Sequence, residues 1–97
     1  MANPLKVSET MVKGQIKNYL ALMHVYSFPI TQGIGSFRGA PDRVMHLNGR
    51  VHYLEIKTPQ GRMSEGQLAF QEQCQVDGIP YHVIRSVEEL REIVESI

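Results

Sequence analysis

The sequence predicts an α/β sandwich, a mixed central sheet flanked by helices, and three observations predict it. Asn48-Gly49 lies between two runs that alternate apolar and polar residues, Arg43 to Leu47 and Val51 to Ile56, which is the strongest short signal for a β-hairpin. Two capping boxes, Ser64-Glu65-Gly66-Gln67 and Ser86-Val87-Glu88-Glu89, each open a helix. An amphipathic stripe of Val12, Ile16, Tyr19, Leu20 and Met23 makes a further helix ahead of the hairpin. The order is helix, strands, helix, strand, helix.

At 97 residues the chain is expected to form one domain over 1–97, with 42% hydrophobic and 21% charged residues in the range of a globular protein. No window approaches 18 consecutive apolar residues, and Met1 to Lys6 lack the charged-then-apolar run of a signal peptide. The expected location is therefore the cytoplasm. A single cysteine, Cys74, can form neither an internal disulfide nor a multi-cysteine metal site, and is expected to be a small buried hydrophobe. His24, His46, His52 and His82 fall on different elements without ligand spacing, which argues against zinc.

The first helix is expected from about Val7 to Met23 with Ser8 as its cap. At 100° per residue Glu9 falls inside the apolar stripe, near Ile16 and Leu20. A carboxylate there either complements the helix dipole at a frayed end or serves a site inside the fold. A short strand is expected at Pro29 to Gly33, followed by loop. Gly33-Ile34-Gly35 lacks the third glycine of a dinucleotide fingerprint and is set aside.

In the hairpin, a two-residue Asn48-Gly49 loop pairs Leu47 with Arg50, Val44 with Tyr53 and Asp42 with Glu55. Opposed carboxylates about 4.5–5.5 Å apart at Cβ repel unless something positive stands between them. Lys57 lies two residues beyond Glu55, on the same face. Asp42, Glu55 and Lys57 thus collect at the open end of the hairpin. Two readings are open: a surface ion pair of Glu55 with Lys57 or Arg43, or a hard-cation site in which two carboxylates bind Mg²⁺ and the lysine stabilises charge building on a phosphate. After Thr58-Pro59-Gln60-Gly61 ends the strand, the second helix runs to about Val76 with Gln67, Phe70 and Cys74 on one face. Tyr81 to Ile84 is the last strand, and Val87, Leu90, Ile93, Val94 and Ile97 stripe the last helix.

Net charge is zero but unevenly placed. Residues 1–62 carry eight Lys/Arg against three acids, and residues 63–97 carry seven acids against Arg85 and Arg91. The three early acids are Glu9, Asp42 and Glu55, so outside that candidate set nothing acidic in the first 62 residues would repel a polyanion.

Pro41-Asp42, followed thirteen positions on by Glu55-Ile56-Lys57, resembles the PD-(D/E)xK signature of the restriction-endonuclease-like nucleases. With Glu9, Ile16 and Leu20 ahead of it, Gly39-Ala40 before Pro41, and Ser64-Glu65-Gly66-Gln67 with Phe70 behind, the string resembles the VRR-NUC family (virus-type replication-repair nucleases) of the stand-alone phage and bacterial kind, from about Ser8 onward. The resemblance implies a restriction-endonuclease-like sandwich and a Mg²⁺- or Mn²⁺-dependent DNA endonuclease. It implies that Asp42, Glu55 and the backbone carbonyl of Ile56 bind metal, that Glu9 completes the metal shell, that Lys57 is the catalytic lysine, and that Gln67 packs beside the site. For Gln67 the alternative is its capping-box role alone. It further implies a homodimer that cleaves four-way (Holliday) junctions, a two-fold pair suiting a symmetric junction. Less selective nicking or flap cleavage and an inactive DNA-binding module are the competing readings. Lys13, Lys17, Arg38, Arg43 and Arg62 are the expected phosphate contacts. The last helix and the Phe28–Phe37 segment are candidate dimer surfaces.

Overall fold

The computed structural model describes residues 7–96, and Ile97 of the predicted stripe lies outside them. The elements are α1 (Glu9–Leu22), β1 (Ser27–Pro29), β2 (Arg43–Leu47), β3 (Arg50–Ile56), α2 (Glu65–Asp77), β4 (Tyr81–Ile84) and α3 (Val87–Glu95). The sheet order is β1-β2-β3-β4, antiparallel for the first two pairs and parallel between β3 and β4. It is the mixed sheet flanked by helices that the sequence predicts. One difference is β1, which pairs with β2 at Ser27–Pro29 and not over Pro29 to Gly33. Past Pro29 the contact with β2 continues only as the Ile30 amide donating to the Asp42 carbonyl at 2.9 Å.

The hairpin register is the one the turn dictates. Asn48 and Gly49 have φ of 53° and 75°, as a type I′ turn needs, and Leu47 faces Arg50, Met45 faces His52 and Arg43 faces Leu54. The ladder stops at Arg43, and one residue before it the Asp42 amide donates to the Leu54 carbonyl at 3.0 Å, so the expected pairing of Asp42 with Glu55 is not made as a further rung although both acids lie at the open end.

Alternation along β3 divides the molecule. Leu54 and Ile56 face α1 and α3, where they pack with Val12, Ile16, Leu20, Met45, Ile84 and Leu90 into the buried core. Each such side chain contributes about 1.5–3 kcal/mol, so this face holds the sheet to its helices. Tyr53 and Glu55 face the other way, toward α2. Phe70 meets Tyr53 at 5.2 Å and Tyr81 at 6.0 Å between ring centroids, and Cys74 is buried and free beside them, as expected. The α2 helix is the crossover joining parallel β3 and β4, which is why it lies across this face. Its start is fixed by the predicted capping box, with both reciprocal hydrogen bonds of Ser64 and Gln67 made. Ser86 caps α3 by accepting from the Glu89 amide, but the expected second capping box does not close, because Glu89 Oε1 accepts from the Arg85 amide, one residue before Ser86.

Candidate metal and nucleic-acid site

The groups at the open end of the hairpin are brought together by several elements. Strand β2 begins just after Asp42, whose Oδ2 accepts a hydrogen bond from the Ile56 amide at 2.7 Å and so ties the two strand ends together. Glu55 is 1% exposed on β3. Its Oε2 accepts from Gln67 Nε2 at 3.1 Å and lies 3.6 Å from Lys57 Nζ, whereas Oε1 is buried and has no partner among the described residues. A single amide therefore serves both roles that the sequence leaves open for Gln67, because its Oε1 accepts from the Ser64 amide at 2.9 Å. Capping α2 aims Gln67 at Glu55.

Burial, and then the negative charge of Asp42, push the Glu55 carboxyl up to about 8, against the pull of Lys57. An acid so raised has a strong appetite for a cation or a proton. Lys57 itself is held by its amide donating to the Ile84 carbonyl at 2.9 Å, an extension of the parallel ladder.

Two acids converge here, not three. Glu9 is exposed in the first turn of α1 and does not share the buried stripe of Val12, Ile16 and Leu20. It reaches the site through Lys13, whose Nζ lies 3.4 Å from Glu9 and 3.2 Å from Asp42 Oδ1. Burial draws the Lys13 pKa down, but Asp42 and Glu9 outweigh it and leave the group above its ordinary value. Among the described residues, no group of three or more His, Cys, Asp or Glu is gathered to hold a metal ion. The donor set nonetheless fits a hard divalent cation, which takes one or two carboxylates and completes its shell with water. The orphaned Glu55 oxygen is the observation that favours that fit.

A cleft of about 400 Å³ opens beside Asp42 between α1 and the β1 edge, and Lys13, Lys17 and Arg43 all line it. Arg43 is braced there by donating from Nε to Ser27 Oγ at 3.0 Å. Arg38 stands elsewhere, on a second groove against α2, and Arg62 is exposed in the loop ahead of α2. Three of the five expected phosphate contacts thus share one cleft.

Two features escaped sequence reasoning. Arg85 Nη1 donates to the carbonyls of Thr58 and Gly61, both at 2.7 Å, and pins the turn that follows Lys57. A lone arginine after a strand carries no signal of this. His52 and His82 stack with ring nitrogens 2.9 Å apart, and burial first, then Arg50 for His52 and His52 for His82, lowers both pKa values. Only the parallel register, which sets Leu54 beside His82, brings them together. They lie on the face of β3 opposite Glu55.

No protein-family model matches the sequence, and no curated protein matches it. A solved structure described as a VRR_NUC domain superposes with a TM-score of 0.74 at 21% identity, covering 90% of this chain and 94% of that one. The chain has the VRR_NUC fold. The resemblance read from Pro41-Asp42, Glu55-Ile56-Lys57 and the flanking motifs is thus met by the backbone. In the VRR_NUC arrangement found here, the motif residues Asp42, Glu55, Lys57 and Gln67 meet at one end of the sheet, although 25 positions separate the first from the last.

Proposed function

We propose that the protein is a Mg²⁺- or Mn²⁺-dependent DNA endonuclease that hydrolyses phosphodiester bonds, acting as a homodimer on four-way or otherwise branched DNA in the cytoplasm. The observation that carries the reading is a nearly inaccessible carboxylate, Glu55, with one unpartnered oxygen, set near Asp42 and beside Lys57 within a VRR_NUC fold. Asp42, Glu55 and the Ile56 carbonyl would hold the cation, with Glu9 joining when Lys13 releases it. When bound, the cation supplies an acidified water and neutralises the scissile phosphate.

The chain's own residues do the rest. Gln67 fixes the Glu55 carboxylate by donating to Oε2, and the Asp42 carboxylate is fixed by the Ile56 amide. Lys57, whose side chain is 12% exposed, offers a compact ammonium to the phosphate oxygens as charge builds. The oxygen of water bonds to phosphorus, one phosphorus–ester bond breaks, and the ester oxygen leaves as a hydroxyl. Lys17 and Arg43, with Lys13, hold flanking phosphates in the cleft beside Asp42, while Arg38 and Arg62 extend the contact on the other side.

Digestion of labelled four-way, flap, nicked and linear duplex DNA, side by side with Mg²⁺, Mn²⁺ or EDTA, tests this reading. Metal-dependent cleavage with junctions cut fastest, by a species that light scattering finds to be a dimer, is the expected result. Cutting that persists in EDTA defeats the metal mechanism. A monomer cutting junction and duplex at equal rates defeats the junction reading and leaves a less selective nuclease, and binding without any cutting points to an inactive DNA-binding module.

A further inference from the structure

On the α2 side of the site lies a groove of about 690 Å³, walled by Phe37, Tyr53 and Phe70, with Arg38, Glu65 and Asp77 also on its lining. That volume is in the range of small-molecule sites, about 300–1,000 Å³. We propose that this groove receives one unpaired nucleobase of the DNA strand held at the Asp42–Glu55 end, so that the enzyme selects branched DNA in which a base at the branch point has lost its partner. The inference rests on the nuclease reading for the presence of DNA, and adds to it a specificity site.

Position argues first. Gln67, which touches Glu55, and Phe70, which walls the groove, are three residues apart on α2 and so are neighbours on its surface, about 5–6 Å apart at Cβ. A base entering the groove would belong to a nucleotide at or next to the phosphate beside Glu55. The loop bearing Phe37 and Arg38 is clamped to that turn of the helix. Gly39 has φ of 82° and packs so tightly against the Gly66 carbonyl that no Cβ fits between them.

Chemistry argues second. Phe37 is 73% exposed, yet it stands edge-on to Phe70 at 6.2 Å, and Phe70 is edge-on to Tyr53 at 5.2 Å. Exposed aromatic faces beside a nucleic-acid site are the usual platform for unstacked bases. The charges separate base from backbone. Arg38 is the one cation on the lining and suits a phosphate, whereas Glu65 and Asp77 repel phosphate and accept hydrogen bonds from the amino edge of a base.

The test uses two four-way junctions, one fully paired and one with a single unpaired 2-aminopurine at the branch point, with affinities measured by anisotropy in EDTA. The wild-type chain is expected to bind the unpaired form about tenfold more tightly and to shield its 2-aminopurine from iodide quenching. Phe37→Ala should erase both effects without changing affinity for the paired junction, and Phe37→Tyr should restore them. Phe70→Ala should act likewise, and its melting curve shows whether it still folds. Equal affinity of the wild-type chain for the two junctions, or a preference that survives in Phe37→Ala, overturns the proposal. Because nothing is cut in EDTA, the two readings fail separately: absence of cleavage on any DNA with Mg²⁺ or Mn²⁺ would remove the nuclease and leave this preference to be judged on its own.

Discussion

The two ends of the β2–β3 hairpin share one register and differ in everything else. At the closed end Asn48-Gly49 turns the chain using only its own backbone preferences, and nothing lies within 4 Å of where a Gly49 side chain would begin. At the open end four elements meet. Lys13 of α1 pairs with Asp42, Gln67 of α2 holds Glu55, Lys57 hangs from the Ile84 carbonyl of β4, and Asp42 itself is tied to Ile56. Local chemistry fixes where the hairpin turns, and tertiary chemistry turns two mutually repelling acids into a site.

The sharpest contrast is in activity. Asp42→Asn, Glu55→Gln and Lys57→Ala are each expected to cut cleavage by at least about 100-fold, the cost of losing a group that stabilises transition-state charge. Asn48→Ala and Gly49→Ala at the closed end should leave turnover unchanged. Any of the three open-end variants cutting at the wild-type rate would break the comparison.

A second contrast concerns glycines. Gly39→Ala adds a Cβ that collides with the Gly66 carbonyl at φ of 82°, whereas Gly49→Ala meets only the strain of φ 75°. Chemical denaturation should show a loss of about 3 kcal/mol for the first and about 1 kcal/mol for the second. Equal losses would mean that the Arg38–Gly39 loop is not clamped to α2.

Arg85→Ala should slow cleavage about tenfold, a cost like that of other groups that orient site residues. Its guanidinium hydrogen-bonds to the Thr58 and Gly61 carbonyls, so junction affinity in EDTA should be unchanged and Arg85→Lys should restore part of the rate. A fall in affinity equal to the fall in rate would mark it as a DNA contact.

The smallest effect is a slope. Glu55 has its pKa raised from 4.5 to about 8, so in metal-free buffer the folded state holds a proton that the unfolded state releases. Its contribution to stability is complete below about 4.5 and is lost as pH rises through about 8. Glu55→Gln should lack that loss, gaining on the wild type between pH 5 and 8.5 in paired melting curves. Parallel curves would show that Glu55 is ionised throughout.

The same contrast explains how much was legible beforehand. The turn, the register it sets, the Ser64 capping box and the Ser86 cap rest on neighbours in sequence and appear in the structure where the residues place them, whereas the Glu89 carboxylate, expected to close a second capping box on Ser86, accepts from the Arg85 amide instead. The nearness of Asp42 to Glu55 follows from that register, since Arg43 opposite Leu54 leaves both acids at the open end of the hairpin, although the Asp42 amide bonds to Leu54 and not to Glu55. What was not legible depends on contacts between distant segments. Periodicity set Glu9 on the inward stripe, but the stripe is effective only from Val12, and Glu9 reaches Asp42 through Lys13. Lys13 reads as a phosphate contact from charge alone, yet without DNA it neutralises two carboxylates. The stacking of His52 on His82 required knowing that β3 and β4 run parallel.

Thermal melting of the EDTA-treated protein at pH 7 against rising Mn²⁺ tests the cation site directly. A ligand at about 100 times its dissociation constant adds about 2.7 kcal/mol, which in a domain of this size raises Tm by roughly 10 °C or more. The wild-type chain should show that rise, while Asp42→Asn and Glu55→Gln should stay flat. A wild-type melting point indifferent to Mn²⁺, or an equal rise in both variants, would contradict a cation site at Asp42 and Glu55.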